Sequence, residues 1–311
     1  MEHPNPMDAP GRFEARYLAF LGTIDNLRPA LHRYCARMLG SVMDGEDVVQ
    51  DALFQAYRKL DTFDDMRPMG PWLFRIAHNQ CIDFIRRHEV RRDAETTAMT
   101  PDWVMPALPA GRELGRAVEH LVLTLPPMER ACVLLKDIFD YSLEEIAEMV
   151  DSTVGGVKAA LNRGHSKLAA LPETAPRPAE KSARSKKSTE AAQILRLYVD
   201  RFNRRDWDGI LELVVADAQL RVADRFTGKL LESGYFGVYE RWKTAWRLVV
   251  GEVDGETAIV RLEEEAGGWS PKGVIRFDVD DGRVVQIRDY WHCPWVLVAA
   301  TSLVVGEPFP N

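Results

Sequence analysis

Two helical patterns of opposite character, joined by a loop rich in Pro, Gly and Asp, occupy residues 44–92 and constrain the fold more than any other feature. In the first pattern, residues 44–60, apolar residues recur at the i, i+3, i+4, i+7 spacing of a buried helix face. The opposite face is acidic and polar, yet it carries Phe54. A large aromatic among exposed carboxylates predicts a partner surface, and a solvated face with one stray Phe is the alternative.

The second pattern, residues 72–92, turns Arg75, Asn79, Asp83 and Arg86 outward at i, i+4, i+8 and i+11. Arginines near the end of this helix suit the negative pole of the helix macrodipole and equally suit a phosphate backbone. Asn and Arg on one face are also the side chains best shaped to read bases. The residues predicted to be buried are Leu73, Ile76, Ala77, Cys81, Phe84 and Ile85.

A resemblance to a known family is carried by two runs, DGEDVVQDALFQAYRKL and PWLFRIAHNQCIDFIRR. Both resemble region 2 of the extracytoplasmic-function (group IV) sigma factors of bacterial RNA polymerase. The resemblance implies that the first helix docks on the polymerase core, and that the second helix, with the loop of residues 61–71, binds and opens the upstream edge of the melted promoter. The resemblance matches Asp44, Asp47, Gln50 and Asp51, and these four together with the outward Phe54 are the predicted core-binding residues. The implied DNA-binding residues are Trp72, Arg75, Asn79, Asp83, Arg86 and Arg87.

Residues 113–171 are helical again and contain a predicted helix-turn-helix. Ser142 and Glu145 have the S-x-x-E spacing of a capping box that opens a short helix. A turn at residues 151–152 leads to a second helix with basic outward residues. The segments LPPMERACVLL, SLEEIAEMV and STVGGVKAALNRGHSKL resemble region 4 of the same family, which implies that the second helix enters the major groove of the distal promoter element. The implied DNA-binding residues are Ser152, Thr153, Lys158, Asn162, Arg163 and Lys167.

The second helix departs from the family pattern at three positions. Ala159 and Ala160 stand where the family often has a polar and a basic residue, and His165 stands where Arg is common. Fewer charged groups weaken phosphate anchoring, so a modest promoter affinity is expected.

Two segments between the periodic regions are predicted linkers. Residues 94–112 are punctuated by Thr, Pro and Gly, and Trp103 within them is predicted to dock on another part of the chain. Residues 172–190 are poor in apolar side chains and rich in Pro, Ser, Lys and Arg, so they cannot bury enough surface to fold alone. A flexible tether is the favoured interpretation of this segment, and contact with DNA is the alternative.

After residue 191 the composition changes to three short helical patterns followed by strands. Asp254-Gly255 and Asp281-Gly282 each separate two alternating runs, which predicts two hairpins, 247–253 with 257–262 and 274–279 with 284–290. Helices followed by a curved antiparallel sheet predict an α+β fold. The order and the ending VVQIRDYW resemble the SnoaL-like cone domain of the nuclear-transport-factor superfamily.

The resemblance implies that this third domain regulates the first two in cis, since some sigma factors of this class carry such a domain in place of a separate anti-sigma factor. Cone folds often hold a pocket lined by aromatic and polar side chains, so a small-molecule ligand is a candidate partner. Asp289 with His292 suggests an acid–base pair, but ordinary strand-end polar residues are the favoured interpretation because no second catalytic partner is identifiable. The candidate pocket residues are Trp207, Tyr235, Trp242, Asp289, Tyr290 and His292.

Composition sets outer limits on these interpretations. A chain of 311 residues suggests two or three domains, and a net charge of −7 argues against nucleic-acid binding by the whole surface, although not by local basic patches. No signal sequence is recognised at the start, and the longest apolar run is too short to span a bilayer. A cytoplasmic protein without membrane contact is therefore expected.

The four cysteines lie far apart and form no C-x-x-C pair, so no zinc ribbon or redox dithiol is indicated. His32 and Cys35 make an H-x-x-C, but no further ligands are evident, and buried reduced cysteines are the preferred interpretation. No metal or cofactor is predicted.

The sequence thus predicts two all-α domains, the second a helix-turn-helix, followed by an α+β SnoaL-like domain. The predicted boundaries are 1–93, linker 94–112, 113–171, linker 172–190 and 191–311. The leading hypothesis is a non-enzymatic promoter-specificity subunit whose partners are RNA polymerase core and promoter DNA. A one-component regulator that senses a small molecule and binds DNA without polymerase is the second hypothesis, and an enzyme fused to a DNA-binding region is the third. The acidic face with Gln50, Asp51 and Phe54 separates the first from the second, because a simple repressor has no use for it.

Overall fold

The computed structural model describes residues 9–64, 66–95, 124–170, 186–223 and 225–306. These residues form two compact units, a helical unit that ends at residue 170 and a second unit that begins at residue 186. Trp103 and most of both predicted linkers lie outside the described residues, so the docking of Trp103 stays a prediction.

The helical unit contains six α-helices in its described part, with a 3₁₀ turn after the second and a π-helical turn after the fourth. They are α1 (Ala9–Leu39), α2 (Val42–Arg58), the 3₁₀ turn (Leu60–Thr62), α3 (Met69–Glu95), α4 (Pro127–Val133), the π turn (Leu134–Ile138), α5 (Leu143–Met149) and α6 (Val154–Ala169).

Local capping signals set the starts of these helices. The Ser142 side chain and Glu145 form the predicted capping box at α5, with the Ser142 hydroxyl 3.2 Å from the Glu145 backbone N–H. The Thr153 hydroxyl accepts the Gly156 N–H at 3.0 Å and caps α6. Asp151, the turn residue between these helices, has a φ of 54°, a conformation that Asp tolerates better than most residues. The predicted helix-turn-helix is confirmed.

Close contact between α1 and α2 depends on a glycine. A Cβ at Gly45 would lie 2.6 Å from the backbone N of Ala36, closer than any real contact. The two helices therefore approach at van der Waals distance only because position 45 lacks a side chain. This contact fixes the direction of α2 and hence of its acidic face.

One apolar core spans the whole helical unit. Buried side chains of α1, α2 and α3 and of α4, the π turn, α5 and α6 belong to a single cluster. Phe74 of α3 lies with its ring 5.6 Å from that of Phe139 and 5.3 Å from that of Tyr141. The two predicted helical domains are therefore packed together in this structure, and their behaviour as separate folding units stays a prediction.

This packing corrects the predicted burial on α3. Phe74 and His78, which the single-stripe pattern left out, are buried, whereas Phe84 and Ile85 are only half-buried. The helix is covered on two sides along its first half, because α5 and the π turn pack where solvent was expected. Toward the C-terminal end of α3, these elements no longer cover the helix.

The second unit consists of four helices and one seven-stranded sheet in its described part. The elements are α7 (Lys186–Asn203), α8 (Trp207–Leu213), β1 (Val214–Val222), β2 (Phe226–Lys229), a 3₁₀ turn (Leu230–Glu232), α9 (Tyr235–Glu240), β3 (Trp246–Val253), β4 (Glu256–Glu265), β5 (Gly268–Asp280), β6 (Arg283–Asp289), α10 (Pro294–Ala299) and β7 (Leu303–Val305).

The sheet confirms both predicted hairpins and the α+β class. Its order is β2-β1-β6-β5-β4-β3-β7. Both hairpin turns place Asp and Gly at positive φ, 51° and 82° at residues 254–255 and 47° and 69° at residues 281–282. Two expectations were wrong: β1 pairs with β6 in parallel, so the sheet is mixed, and α7 begins at Lys186, inside the predicted flexible linker.

Candidate partner and nucleic-acid interfaces

The acidic face of α2 lies at the surface, as predicted. Phe54 is 64% exposed, the largest exposure of any aromatic ring among the described residues. Asp51 is exposed, and Asp44, Asp47 and Gln50 are half-buried. Exposing so much of an aromatic ring to water is unfavourable unless a partner covers it. The structure therefore brings all five predicted core-binding residues to one helix surface.

A groove of about 500 Å³ adjoins this face. Its lining adds residues that the sequence did not single out, from the end of α2 and from α3. Gln55 and Gln80 join the two helices through a side-chain hydrogen bond of 2.9 Å. The groove thus offers amide and cationic groups beside the acidic and aromatic ones. The lining residues are Asp51, Phe54, Gln55, Arg58, Lys59, Gln80 and Arg87.

The predicted DNA-binding residues of α3 form one row from Trp72 to Arg87. Trp72 is half-buried and packs its ring 4.7 Å from that of Phe63. Asn79, Asp83, Arg86 and Arg87 are exposed. The Arg87 Nε donates to the backbone oxygen of Asp83 at 3.2 Å, and Arg86 and Asp83 lie at the limit of an ion pair, 3.9 Å.

Arg75 is engaged within the helical unit. Its Nη2 donates to the Asp151 carboxylate at 2.9 Å. In the predicted promoter-opening loop, Arg67 makes a similar contact of 2.9 Å with Glu148. These two pairs connect the region 2-like helices to the helix-turn-helix, and both are largely exposed.

Most of the predicted DNA-facing residues of α6 lie at its surface. Ser152, Thr153, Lys158 and Asn162 are exposed, with Val157 and Leu161 buried beneath them. The exposed row begins at the helix N-terminus, which favours anions through its unpaired N–H groups and the macrodipole. The prediction that this end of α6 contacts a phosphate backbone is compatible with this exposure.

The other two predicted residues of α6 are tied to α4. Glu129 accepts from Arg163 Nε at 3.0 Å and from Lys167 Nζ at 2.8 Å. These hydrogen bonds, that from Lys167 first, hold the pKa of the Glu129 carboxyl below its usual value, although burial opposes them. Sequence patterns could not indicate this carboxylate, because 34 and 38 residues separate it from its partners.

In the C-terminal unit, Asp289 is the centre of a sealed polar cluster. Its Oδ2 accepts hydrogen bonds from the hydroxyls of Tyr235 at 2.7 Å and Tyr239 at 2.8 Å, and its Oδ1 accepts the Trp291 N–H at 2.9 Å. Burial raises the pKa of Asp289, while the tyrosine hydrogen bonds lower it. The suggested Asp289–His292 pair is replaced by these contacts: His292 is exposed and its ring lies 6.1 Å from that of Trp291.

Trp242 and Trp207, two of the remaining pocket candidates, pack against different neighbours. Trp242, 37% exposed, packs its ring 4.3 Å from that of Trp291. Trp207 lies elsewhere, stacked on Phe236 and donating through Nε1 to Glu240 at 2.5 Å. Tyr290 is buried.

Arg261 is a charged residue of this region that the sequence did not indicate. It is 4% exposed, pairs with Glu263 at 3.2 Å and lies 4.0 Å over the Trp291 ring. An arginine in the middle of an apolar strand is a detectable signal, because such residues need a buried partner.

Two further observations concern classes of site. The four cysteines are free and buried, as predicted, and in the described ranges no cluster of His, Cys, Asp and Glu side chains is suited to a metal ion. His32 of the H-x-x-C is buried, with Nε2 at 2.9 Å from the Val42 carbonyl oxygen. Within the part of the chain that the structure describes, no helix combines the length and apolarity needed to cross a membrane.

Comparison with known proteins gives two family matches. The sigma-70 region 2 model matches residues 23–91, and the sigma-70 region 4 model matches residues 115–168. These segments contain the α2 and α3 faces and the helix-turn-helix described above. Both lie in the helical unit.

Among relatives, the ECF RNA polymerase sigma factor SigW of Bacillus subtilis is 35% identical over 162 residues, 48% of this chain and 87% of SigW. The sigma factor SigG of Mycobacterium tuberculosis is 28% identical over 221 residues, 61% of this chain and 58% of SigG. The solved structure of the M. tuberculosis sigma factor SigJ covers 86% of this chain and 95% of its own, with 16% identity and a TM-score of 0.35. The extent and identity of the SigW match, together with both sigma-70 regions in order, show that the chain belongs to the extracytoplasmic-function family of RNA polymerase sigma factors.

Proposed function

We propose that this chain directs RNA polymerase core to specific promoters, and that its C-terminal unit regulates this activity in cis. The observation that carries the first part is family membership together with the acidic face of α2, where the apolar Phe54 ring faces solvent beside the exposed Asp51. Polymerase core binds this face. The α3 row and the N-terminal end of α6 contact promoter DNA, and the cytoplasm, where polymerase works, is the site of action.

Co-purification with polymerase core tests the assignment of α2. Asp51→Arg reverses the charge at the centre of the acidic face without touching the core, so we expect it to abolish capture of polymerase core by the tagged chain. Asp217→Arg is the matched control, since Asp217 is also exposed but lies on β1 of the other unit. Equal capture by both variants would contradict the assignment.

Regulation in cis is supported by two features, each within one unit. The C-terminal unit has its own apolar core and the predicted α+β layout, so it is a folded domain and not a tail. In the helical unit, Arg75 and Arg67 are paired with acids of the helix-turn-helix, so two promoter-binding segments are held together. A state of this kind must open or adjust before both segments reach separate promoter elements, and this gives regulation a step on which to act.

In vitro transcription from the chain's own promoters tests regulation. The full-length chain is compared with stepwise truncations that end between residues 171 and 190, because a single deletion also exposes apolar surface. We expect initiation per bound polymerase to change when the C-terminal unit is removed. Identical initiation by all lengths would contradict regulation in cis while leaving the sigma activity intact.

For the C-terminal unit we propose binding and not catalysis. Both carboxylate oxygens of Asp289 are occupied, one by Tyr235 and Tyr239 and the other by a backbone N–H. A general acid or base must reach a substrate proton within hydrogen-bond distance. A carboxylate that already accepts three hydrogen bonds stabilises the domain and is poorly placed to exchange a proton with a substrate.

A further inference from the structure

The C-terminal half of α6 carries three basic side chains, and each lies within ion-pair distance of an acid on the segment of residues 127–138. Glu129 is shared by Arg163 at 3.0 Å and Lys167 at 2.8 Å. His165 lies 2.8 Å from Asp137. Lys158, in the N-terminal half of the helix, has no ion-pair partner among the described residues and is exposed. The helix is thus divided into an unpaired half and a paired half.

Burial distinguishes Glu129 from an ordinary surface acid. Its side chain is 7% exposed, whereas those of Arg163 and Lys167 are 57% and 50% exposed. The carboxylate lies near the surface, and its own half-exposed partners Arg163 and Lys167 cover it from solvent. Each of its two oxygens receives one cation. The trio therefore carries one net positive charge in place of two, and its cations are fixed on the side of α6 that faces α4.

We propose that Glu129 is a positioning residue for DNA binding, an internal counter-ion that holds Arg163 and Lys167 and competes with DNA phosphates for them. The inference rests on the proposed function only in taking α6 as the helix that meets DNA. Phosphate contact then depends mainly on Lys158 and the N-terminal end of α6. The net result is a recognition helix with lower affinity for DNA in general than its basic residues would indicate.

The dependence of DNA affinity on salt concentration predicts how large the effect of releasing the trio should be. Each phosphate neutralised by a protein cation adds about 0.9 to the slope of log affinity against log salt concentration. Releasing the trio from Glu129 adds about one phosphate contact. At about 50 mM salt, one additional contact corresponds to roughly tenfold tighter binding to duplex DNA.

The test uses the full-length chain without polymerase and a fluorescent duplex of arbitrary sequence, with anisotropy measured over a salt series. Glu129→Gln keeps the size of the side chain and removes its charge, so we expect roughly tenfold tighter binding at about 50 mM salt and a slope steeper by about one. Glu264→Gln is the matched control, because it removes the same charge from an exposed position of β4. We expect less than a twofold change there.

Three further variants keep the result decisive. Adding Arg163→Gln and Lys167→Gln to Glu129→Gln must remove the gain. Wild-type-like or weaker binding by a folded Glu129→Gln chain, or a gain that persists in the triple variant, overturns the proposal. If Glu129→Gln does not fold, Lys158→Gln and Lys167→Gln are compared in the native background: the proposal requires a slope loss of about 0.9 for the first and a much smaller loss for the second, and equal losses overturn it.

Transcription assays separate this inference from the proposed function. A chain that never directs polymerase core to a start site, but shows the Glu129→Gln gain, refutes the sigma activity and leaves the counter-ion role standing. A chain that initiates transcription normally but shows no gain in the Glu129→Gln variant supports the sigma activity and refutes the counter-ion role.

Discussion

In the helical unit, the two ion pairs that join α3 and the loop before it to the helix-turn-helix lie at the surface, whereas the main polar cluster of the C-terminal unit is closed off from water. Arg75 and Asp151 keep 38% and 77% of their side-chain surface exposed. Asp289 is 2% exposed and its partners Tyr235 and Tyr239 are buried with it. This difference determines which contacts can exchange partners while the protein stays folded. An exposed pair exchanges its partner for water or phosphate at small cost, while a buried carboxylate cannot leave its donors without stranding them.

The same contrast applies to function. Arg75, which is predicted to contact DNA, is held by an exposed ion pair that a DNA phosphate can replace. Asp289, the candidate acid–base residue, is held by buried hydrogen bonds that cannot be lost without unfolding. Surface pairing suits a regulated binding protein, and internal sealing suits a stable domain. Three experiments test this contrast.

Breaking the sealed cluster has the largest expected effect. Asp289→Ala removes the acceptor of two buried tyrosine hydroxyls and of a part-buried backbone N–H, so we expect the free energy of unfolding of the C-terminal unit to fall by about 4 kcal/mol. Urea unfolding followed by tryptophan fluorescence measures it, since Trp291 and Trp246 lie beside the cluster. Asp217→Ala, at an exposed position of β1, should change it by less than about 0.5 kcal/mol. Equal effects of the two variants would show that the cluster does not stabilise the unit.

The helical unit also buries polar groups, and the stability that one of them, His78, confers depends on pH. His78 is buried with Nδ1 2.8 Å from the Tyr34 hydroxyl, and burial lowers the pKa of His78 to about 4. Between the ordinary value of 6.5 and that value the unfolded chain binds a proton that the folded chain excludes. Stability is therefore lost as pH falls through this window, by at most about 3 kcal/mol from this group.

Urea unfolding of the helical signal at pH 7 and pH 5 measures this loss. We expect His78→Gln to reduce the loss. His32, whose pKa burial also lowers, keeps part of the pH dependence in this variant. A His78→Gln chain that loses as much stability as the wild type would contradict this account.

Local features of the fold could be predicted from sequence, because the residues that make them are neighbours. Ser142 and Glu145 are three positions apart, and their capping box is present. Asp254 and Gly255 make the first hairpin turn as predicted. The exposure of Phe54 was equally readable, since one helix face sets it.

Contacts between distant segments could not be predicted. Arg75 and Asp151 are 76 residues apart, and nothing in the periodicity of α3 indicates that a second set of helices covers Phe74. The parallel pairing of β1 with β6 also joins residues far apart in sequence. Asp289 was predicted to be an ordinary strand-end polar residue with His292 as its candidate partner, whereas its hydrogen-bond donors Tyr235 and Tyr239 lie about 50 residues away.

Loosening the surface pairs has the smallest expected effect. Asp151→Asn keeps a side chain that tolerates the positive φ of this turn and frees Arg75 for DNA. An exposed ion pair contributes about 0.2–1 kcal/mol, so we expect promoter DNA to bind up to about fivefold more tightly in a filter-binding titration. Asp140→Asn is the matched control, because Asp140 also has a positive φ, 55°, and pairs with Lys136 of its own segment.

A double-mutant cycle decides whether the gain passes through Arg75. Removing any carboxylate near DNA lowers repulsion, and that general effect appears in the Asp140→Asn control. In an Arg75→Gln background, Asp151→Asn should give no more than this general effect, since the cation that it releases is absent. An equal gain in DNA affinity in both backgrounds would mean that Arg75 is available to DNA despite its ion pair with Asp151. The distinction between exposed ion pairs that DNA can replace and buried contacts that it cannot would then fail for the most exposed of these pairs.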